Sequence, residues 1–232
     1  MRRALLALGF ALLLPACNFV SGSGKLATES KEVTAFSKVS VADAIHAVIS
    51  TGPTSIRVTT DDNVIDYVDV AVQEGVLKIG VRDSAWIVAS KGIEVRISTP
   101  ELTAIDASGA SRVEAQPPAG ERFEAAASGA SQVEISGLDS ATLVAKGSGA
   151  STFTFTGAID SLDLVLSGAS SGCLSKLESA KASVNLSGAS SAQIVASGSV
   201  SGALSGASNL EVAGAPQKRT LDISGESNVE YR

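Results

Sequence analysis

Along most of the chain, apolar side chains occupy every second position. Leu162, Leu164 and Leu166 alternate with other residues, as do Val133 and Ile135, and then Phe153 and Phe155. A period of two lines one face of an extended strand, whereas a helical face needs a period near 3.6. The alternating runs break at clusters of turn residues, such as Ser136-Gly137-Leu138-Asp139 and Thr156-Gly157-Ala158-Ile159-Asp160. The pattern therefore predicts short strands and tight turns, with no helical segment between them.

The strands belong to a repeat. Ser-Gly-Ala-Ser occurs at 108–111, 128–131, 148–151, 167–170, 187–190 and 205–208, and Ser-Gly-Glu-Ser at 224–227, at intervals of 20, 20, 19, 20, 18 and 19 residues. Strands this close together cannot return through helices. The natural solution is a coil with one repeat per rung and successive rungs paired in parallel. The expected fold is all-β, a parallel β-helix (solenoid) with rungs of about 20 residues. An antiparallel meander is the rival, but it would not return the same tetrapeptide to the same face. The repeat glycines are Gly109, Gly129, Gly149, Gly168, Gly188, Gly206 and Gly225. If the strand phase runs through the tetrapeptide, Gly168 and Ser170 face inward with Leu164 and Leu166. The final serines then pass hydroxyl hydrogen bonds from rung to rung.

Residues 32–105 lack the tetrapeptide but carry β-prone runs at 38–41, 47–49, 55–59, 67–72, 76–81 and 93–97. These read as irregular opening coils that cap the apolar end of the regular ones. Trp86 is expected in the core or cap, with an exposed sugar-stacking role as the alternative. The solitary His46 reads as structural.

The N-terminus carries an address. Arg2 and Arg3 precede an apolar run from Ala4 to Leu14, too short to span a bilayer as a helix and suited to a secretory signal. Leu14-Pro15-Ala16-Cys17 then resembles a bacterial lipobox, with Pro15 departing from the usual small residue. The resemblance implies signal cleavage after Ala16 and a lipid thioether on Cys17. Loss of Arg2 and Arg3 takes the net charge from −6 to −8. Stable anchoring needs two or more acyl chains. Asn18 stands where enteric inner-membrane lipoproteins carry Asp, which points to the outer membrane. The expected organisation is a signal peptide at 1–16, a lipidated flexible tether at 17–31, and one β-helical domain at 32–232.

Chemistry is sparse. One His excludes mechanisms and metal sites that need two, and an acidic chain without a basic run is a poor nucleic-acid binder. No cofactor motif is present. Cys173 has no partner once Cys17 is lipidated, and reads as a small apolar core residue. The repeat body lacks the recurrent Asp of calcium-filled coils. Glu114 stacks on Glu134, and Asp139 lies near Asp160, when the repeat is folded onto rungs; paired carboxylates would suit glycoside hydrolysis. Yet the repeats vary by only two residues, which leaves no long loops for a catalytic site. The exposed wall after each tetrapeptide, at Arg112, Gln132 and Thr152, is the expected contact surface, for a glycan or another envelope component.

Three passages resemble one family. They are Phe36-Ser37-Lys38-Val39-Ser40-Val41, Asp62-Asn63-Val64 leading to Val76-Leu77-Lys78-Ile79, and Ser98-Thr99-Pro100-Glu101-Leu102 followed by Ile105-Asp106-Ala107-Ser108-Gly109-Ala110. With the repeated Ser-Gly-Ala-Ser, they are similar to the auto-transporter adhesin head GIN domain family over roughly residues 33–229. The resemblance implies an extracytoplasmic β-helical domain, often on lipoproteins, with no catalytic residues to transfer. No stretch for a translocator barrel follows the last repeat, so strict auto-transport is not expected. The expected function is that of a non-enzymatic envelope lipoprotein, adhesin-like or structural. A β-helical polysaccharide lyase or hydrolase, and a self-assembling scaffold, are the alternatives.

The lipobox generates the first prediction. Cys17→Ala should abolish partitioning into the detergent phase, and the wild-type intact mass should show a chain beginning at Cys17 plus lipid. Equal partitioning of the two proteins would refute the assignment.

Overall fold

In the computed structural model, residues 19–82 and 86–232 are described, and the tetrapeptides stack at one corner of a parallel β-solenoid of about six turns. Cys17 and its lipobox lie outside the described residues. At each corner the glycine takes a left-handed φ, +74° at Gly168. The next residue's N–H donates to the corner glycine's carbonyl one rung earlier, at 2.7 Å in every pair from Ala130→Gly109 to Glu226→Gly206. A Cβ at Gly168 would stand 2.6 Å from the Gly149 carbonyl oxygen. Glycine is thus required twice, by φ and by the closeness of the rung beneath.

The corner is a turn, and it breaks the strand phase. The glycines are exposed and the final serines from Ser111 to Ser208 buried, so the expectation that Gly168 shares the inward face with Ser170 is corrected. The serines also bond differently from expectation. Ser111, Ser131, Ser170, Ser190 and Ser208 each donate to the carbonyl of the first serine of their own turn at 2.8 Å. Two reach between rungs: Ser151 donates to the Ser170 hydroxyl at 3.2 Å, and the Ser227 hydroxyl accepts from Ser208 N–H at 3.2 Å and donates to the Gly206 carbonyl at 3.4 Å. A buried hydroxyl folded back on its own turn finds its partner locally and fixes the turn's shape.

Inside, side chains stack in columns whose members differ in size. Val133, Phe153, Gly172, Ala192 and Leu210 are successive partners in one column. The large Phe153 is accommodated by Gly147, where a Cβ would come within 2.8 Å of the ring. Phe153 and Phe155 pack with centroids 5.3 Å apart in a tilted pair. Variation in rung length is absorbed away from the corner, at register shifts between Ile135 and Leu138 and between Cys173 and Glu178.

The opening coils are out of chain order. Lys38–Val41 pairs in parallel with both Val76–Val81 and Ala104–Ala107, and Ile45–Thr51 with both Ile93–Thr99 and Arg112–Ala115. The rung of residues 38–51 therefore lies between a later rung and the first regular one. Its corner, Asp43-Ala44, sits at positive φ without glycine, and Val81 N–H donates to the Asp43 carboxylate at 2.9 Å. Antiparallel strands close this end: Ser55–Asp61 beside Ile93–Thr99, Leu26–Lys31 beside Ser55–Asp61, and Val68–Gln73 beside Val76–Val81.

The stretch expected as a flexible tether is largely strand. Phe19–Ser21 pairs in parallel with Trp86–Val88, and Leu26–Lys31 joins the cap. Buried Asp61 holds the segment between them. Its carboxylate accepts from the Ser90 hydroxyl at 2.6 Å, Ser90 N–H at 2.7 Å and Gly24 N–H at 2.8 Å. Gly22 is present because any side chain there would collide with that carboxylate. The glycines of Ser21-Gly22-Ser23-Gly24 allow close approach as well as flexibility, and composition does not distinguish the two.

One further expectation is corrected and a second narrowed. Cys173 is exposed, because Gly172 and Leu174 take the inward positions of its strand. Of the two places expected for Trp86, the core and the cap, it takes the cap, paired with Phe19, and is 68% exposed. At the far end, the last strands Lys218–Ile223 and Asn228–Tyr231 carry charges along the edge. The Arg219 guanidinium lies over the Tyr231 ring, 3.9 Å from its centroid.

Gly168→Ala should cost roughly 2–4 kcal/mol in urea unfolding, from the left-handed φ plus the overlap. Gly137→Ala, at φ +69° with nothing within 4 Å, should cost only about 1 kcal/mol. The Ser90 hydroxyl, followed by the Ser90 N–H, lowers the Asp61 pKa. A carboxyl with a lower pKa folded than unfolded stabilises fully above the unfolded value, and this is lost as pH falls through the folded one. The Gly24 and Ser90 amides should therefore lose protection, measured against their intrinsic exchange rates, as pH falls below the ordinary carboxylate range. In Asp61→Asn they should already exchange fast at neutral pH.

Candidate functional site

The register resolves two outward walls, before and after the corner. After the corner, His46, Arg112, Gln132, Thr152, Ser171, Ser191, Asn209 and Asn228 follow one another rung by rung. The expected contact residues Arg112, Gln132 and Thr152 thus stand in one row. They are bonded to their neighbours. Arg112 Nε donates to Glu114 at 2.8 Å, and its two Nη groups to Gln132 at 3.3 Å and Glu134 at 3.2 Å. His46 Nε2 is 3.1 Å from Glu114. The Ser171 hydroxyl donates to Thr152 at 3.2 Å.

Glu114 and Glu134 do stack, with Arg112 bridging them. Arg112, and then His46, hold the Glu114 carboxyl below the usual carboxylate range. A general acid needs a raised pKa, so this pair is arranged as an ion network. Asp139 pairs with Ala158, which puts Asp160 diagonally across from it, and both are exposed. Cys173 occupies the next outward row between Thr154 and Gln193.

The wall before the corner carries a trough of about 350 Å³. Its floor is made of small side chains, Ser40, Ala104 and Ala126, with Val144. Lys38, Lys78, Arg122 and Lys146 surround it, with Asp106 and Glu124 as its carboxylates. Two rows build it: Lys38, Ala104, Glu124 and Val144, and Lys78, Ser40, Asp106, Ala126 and Lys146. At about 4.8 Å per rung, Lys78 and Lys146 stem from backbones roughly 19 Å apart. Arg122 Nε donates to Glu124 at 2.8 Å. That bond, with the nearby Lys38 and Lys146 charges, lowers the Glu124 pKa. Desolvation raises that of Asp106. Concavities lined by Pro118 and Leu138 on one side, and by Ser148 and Ser167 on the other, continue the trough along the strand direction.

Sequence reasoning missed this site because its cations come from four separate strands. Lys38 meets Arg122 and Lys146 only because the 38–51 rung is inserted beside residues 104–115. The one readable signal was the outward parity of each cation. A larger cleft of about 600 Å³ on the other wall holds Arg57 and Arg96. These are directly opposite in register. Among the described residues no group of three His, Cys, Asp or Glu side chains comes together to hold a metal. No described helix is long and apolar enough to cross a membrane.

A capped parallel solenoid with a shallow charged trough defines a domain whose chemistry lies in long side walls. The chain belongs to the family described as "Putative auto-transporter adhesin, head GIN domain", which matches residues 35–216. That description puts it with adhesin-like proteins of the cell surface or envelope. A putative adhesin from Bacteroides fragilis has the same fold, with TM-score 0.87, 19% identity and coverage of 92% of this chain and 100% of that one. A putative lipid binding protein from Parabacteroides distasonis gives 0.74 at 15% identity over 92% and 99%. A putative adhesin from Parabacteroides merdae gives 0.69 at 18% identity over 93% and 99%. At these identities the likeness is one of fold. No curated protein matches the chain.

Proposed function

We propose that this chain is a non-enzymatic, adhesin-like recognition module of the cell envelope, anchored through lipid on Cys17, and that the trough is its contact surface for an acidic glycan. The observation that carries the reading is the gathering of Lys38, Lys78, Arg122 and Lys146 around a floor of small side chains in a chain of net charge −6. Cations concentrated against the overall charge attract anionic ligands. Lys38, Lys78 and Lys146 form no ion pair within 4.0 Å among the described residues, and Lys78 is held by one neutral hydrogen bond, to the Gln73 side-chain oxygen at 2.9 Å, so their charges are not neutralised. The trough is lined by no aromatic ring except that of Phe123, at its continuation, and Phe123 is buried. Nucleic-acid bases would therefore find no stacking platform. Carboxylated or sulfated sugars need none, because charge supplies the attraction. The even rungs and the Arg-bridged Glu114–Glu134 pair support a binding role over a hydrolytic one.

The test is a glycan-binding screen on residues 18–232. Acidic polysaccharides should be retained over neutral ones, and retention should fall with added salt. The double variant Lys38→Ala/Lys146→Ala should weaken binding roughly tenfold. Asp106→Asn, which removes one of the trough's two carboxylates, should strengthen it. Glu at Arg112, Gln132 and Thr152 together should leave it unchanged. Loss of binding in that triple variant alone would move the contact surface to the other wall. Cleavage of a polysaccharide that depends on Asp139 and Asp160 would overturn the non-enzymatic reading.

A further inference from the structure

The two-stranded sheet at the capped end is apolar on both faces. One face carries Val20 and Ile87, which pack against the core. The other carries Phe19 and Trp86, direct partners in the pairing, with Val88 beside them. Phe19 is 64% exposed, Trp86 68% and Val88 51%, and Leu26 at the same end is 45% exposed. Every other described Phe is buried, and Ile223 at the opposite end is the remaining large apolar side chain exposed to this degree. A contiguous apolar face on an otherwise well-buried protein marks a surface that meets another phase or partner.

We infer that this face seats in the lipid bilayer that receives the acyl chains of Cys17. The inference rests on the anchoring reading. Cys17 stands two residues before Phe19, and two extended residues span at most about 7 Å. A lipid on Cys17 therefore holds Phe19 and Trp86 within side-chain reach of the headgroup region, whatever the path of residues 17 and 18. Aromatic rings prefer that depth, where apolar faces are buried and polar edges stay hydrated. The pairing of Phe19–Ser21 with Trp86–Val88 ties the anchor to the cap. The membrane contact would then orient the solenoid, cap inward and last rung outward. About six turns at about 4.8 Å each carry that last rung roughly 30 Å from the cap.

Trp86 is the only tryptophan in the chain, so its fluorescence reports this face alone. The lipidated protein would be reconstituted into vesicles of phosphatidylethanolamine and phosphatidylglycerol, with and without brominated acyl chains. Trp86 emission should be shifted to the blue and quenched by roughly half in brominated vesicles, because an interfacial apolar face sits about 5–10 Å deep. Phe19→Ser should reduce the quenching, and Ile223→Ser should leave it unchanged. An acylated, vesicle-bound protein with unquenched Trp86 would overturn this inference and leave the anchor standing. So would a Trp86 emission change produced by soluble saccharide in place of lipid. An intact mass without acyl chains would overturn the anchoring reading, and this inference with it.

Discussion

The structure depends on one contact, repeated along an axis: the N–H after each corner glycine donates to the corner glycine's carbonyl one rung earlier, at 2.7 Å. The left-handed φ turns the chain, and the missing Cβ lets the next rung approach. Neither property suffices alone. At Gly137 the φ is equally left-handed with nothing nearby, and the surrounding rungs shift register there. At the tetrapeptide corner both conditions hold together, and the register is maintained. Each rung is positioned by its neighbour, as expected of a quasi-one-dimensional fold.

A fixed corner has consequences for the walls. Strands leaving it in register stack equivalent side chains into rows, so polarity on the outside becomes a property of columns. On one wall the columns bond to themselves, through Arg112 and the carboxylates of Glu114 and Glu134. On the other, small residues at Ala104 and Ala126 lower the floor and leave lysines standing around it. The same strands thus provide a saturated surface and an unsaturated one. The contrast favours the trough as the place where an external anion completes the electrostatics.

The two ends of the solenoid are finished differently. The last rung meets solvent with charges and with Arg219 laid over Tyr231. The first is closed by antiparallel strands tied together at Asp61, whose carboxylate is held by three donors. The cap also carries the exposed Phe19–Trp86 pair, next in sequence to Cys17. On the proposed lipidation of Cys17, anchoring, capping and orientation would converge on one end and leave the walls free along the length of the coil.

By itself, the sequence determined the β-class, the coil, its rung length and the corner. Alternation and a near-constant interval are local signals, and the corner glycines are required by contacts that every rung repeats. The runs at Lys38–Val41 and Val76–Val81 were legible to the residue for the same reason. Tertiary structure alone decided what depends on register between distant segments. It inserted residues 38–51 between later rungs, which assembled the trough from cations scattered over the chain. It turned Cys173 outward and exposed Trp86. It also bound the glycine-bearing segment after Cys17 to Asp61. A glycine's composition signal is the same whether it loosens a linker or admits a carboxylate, and only the neighbour that packs against it decides which.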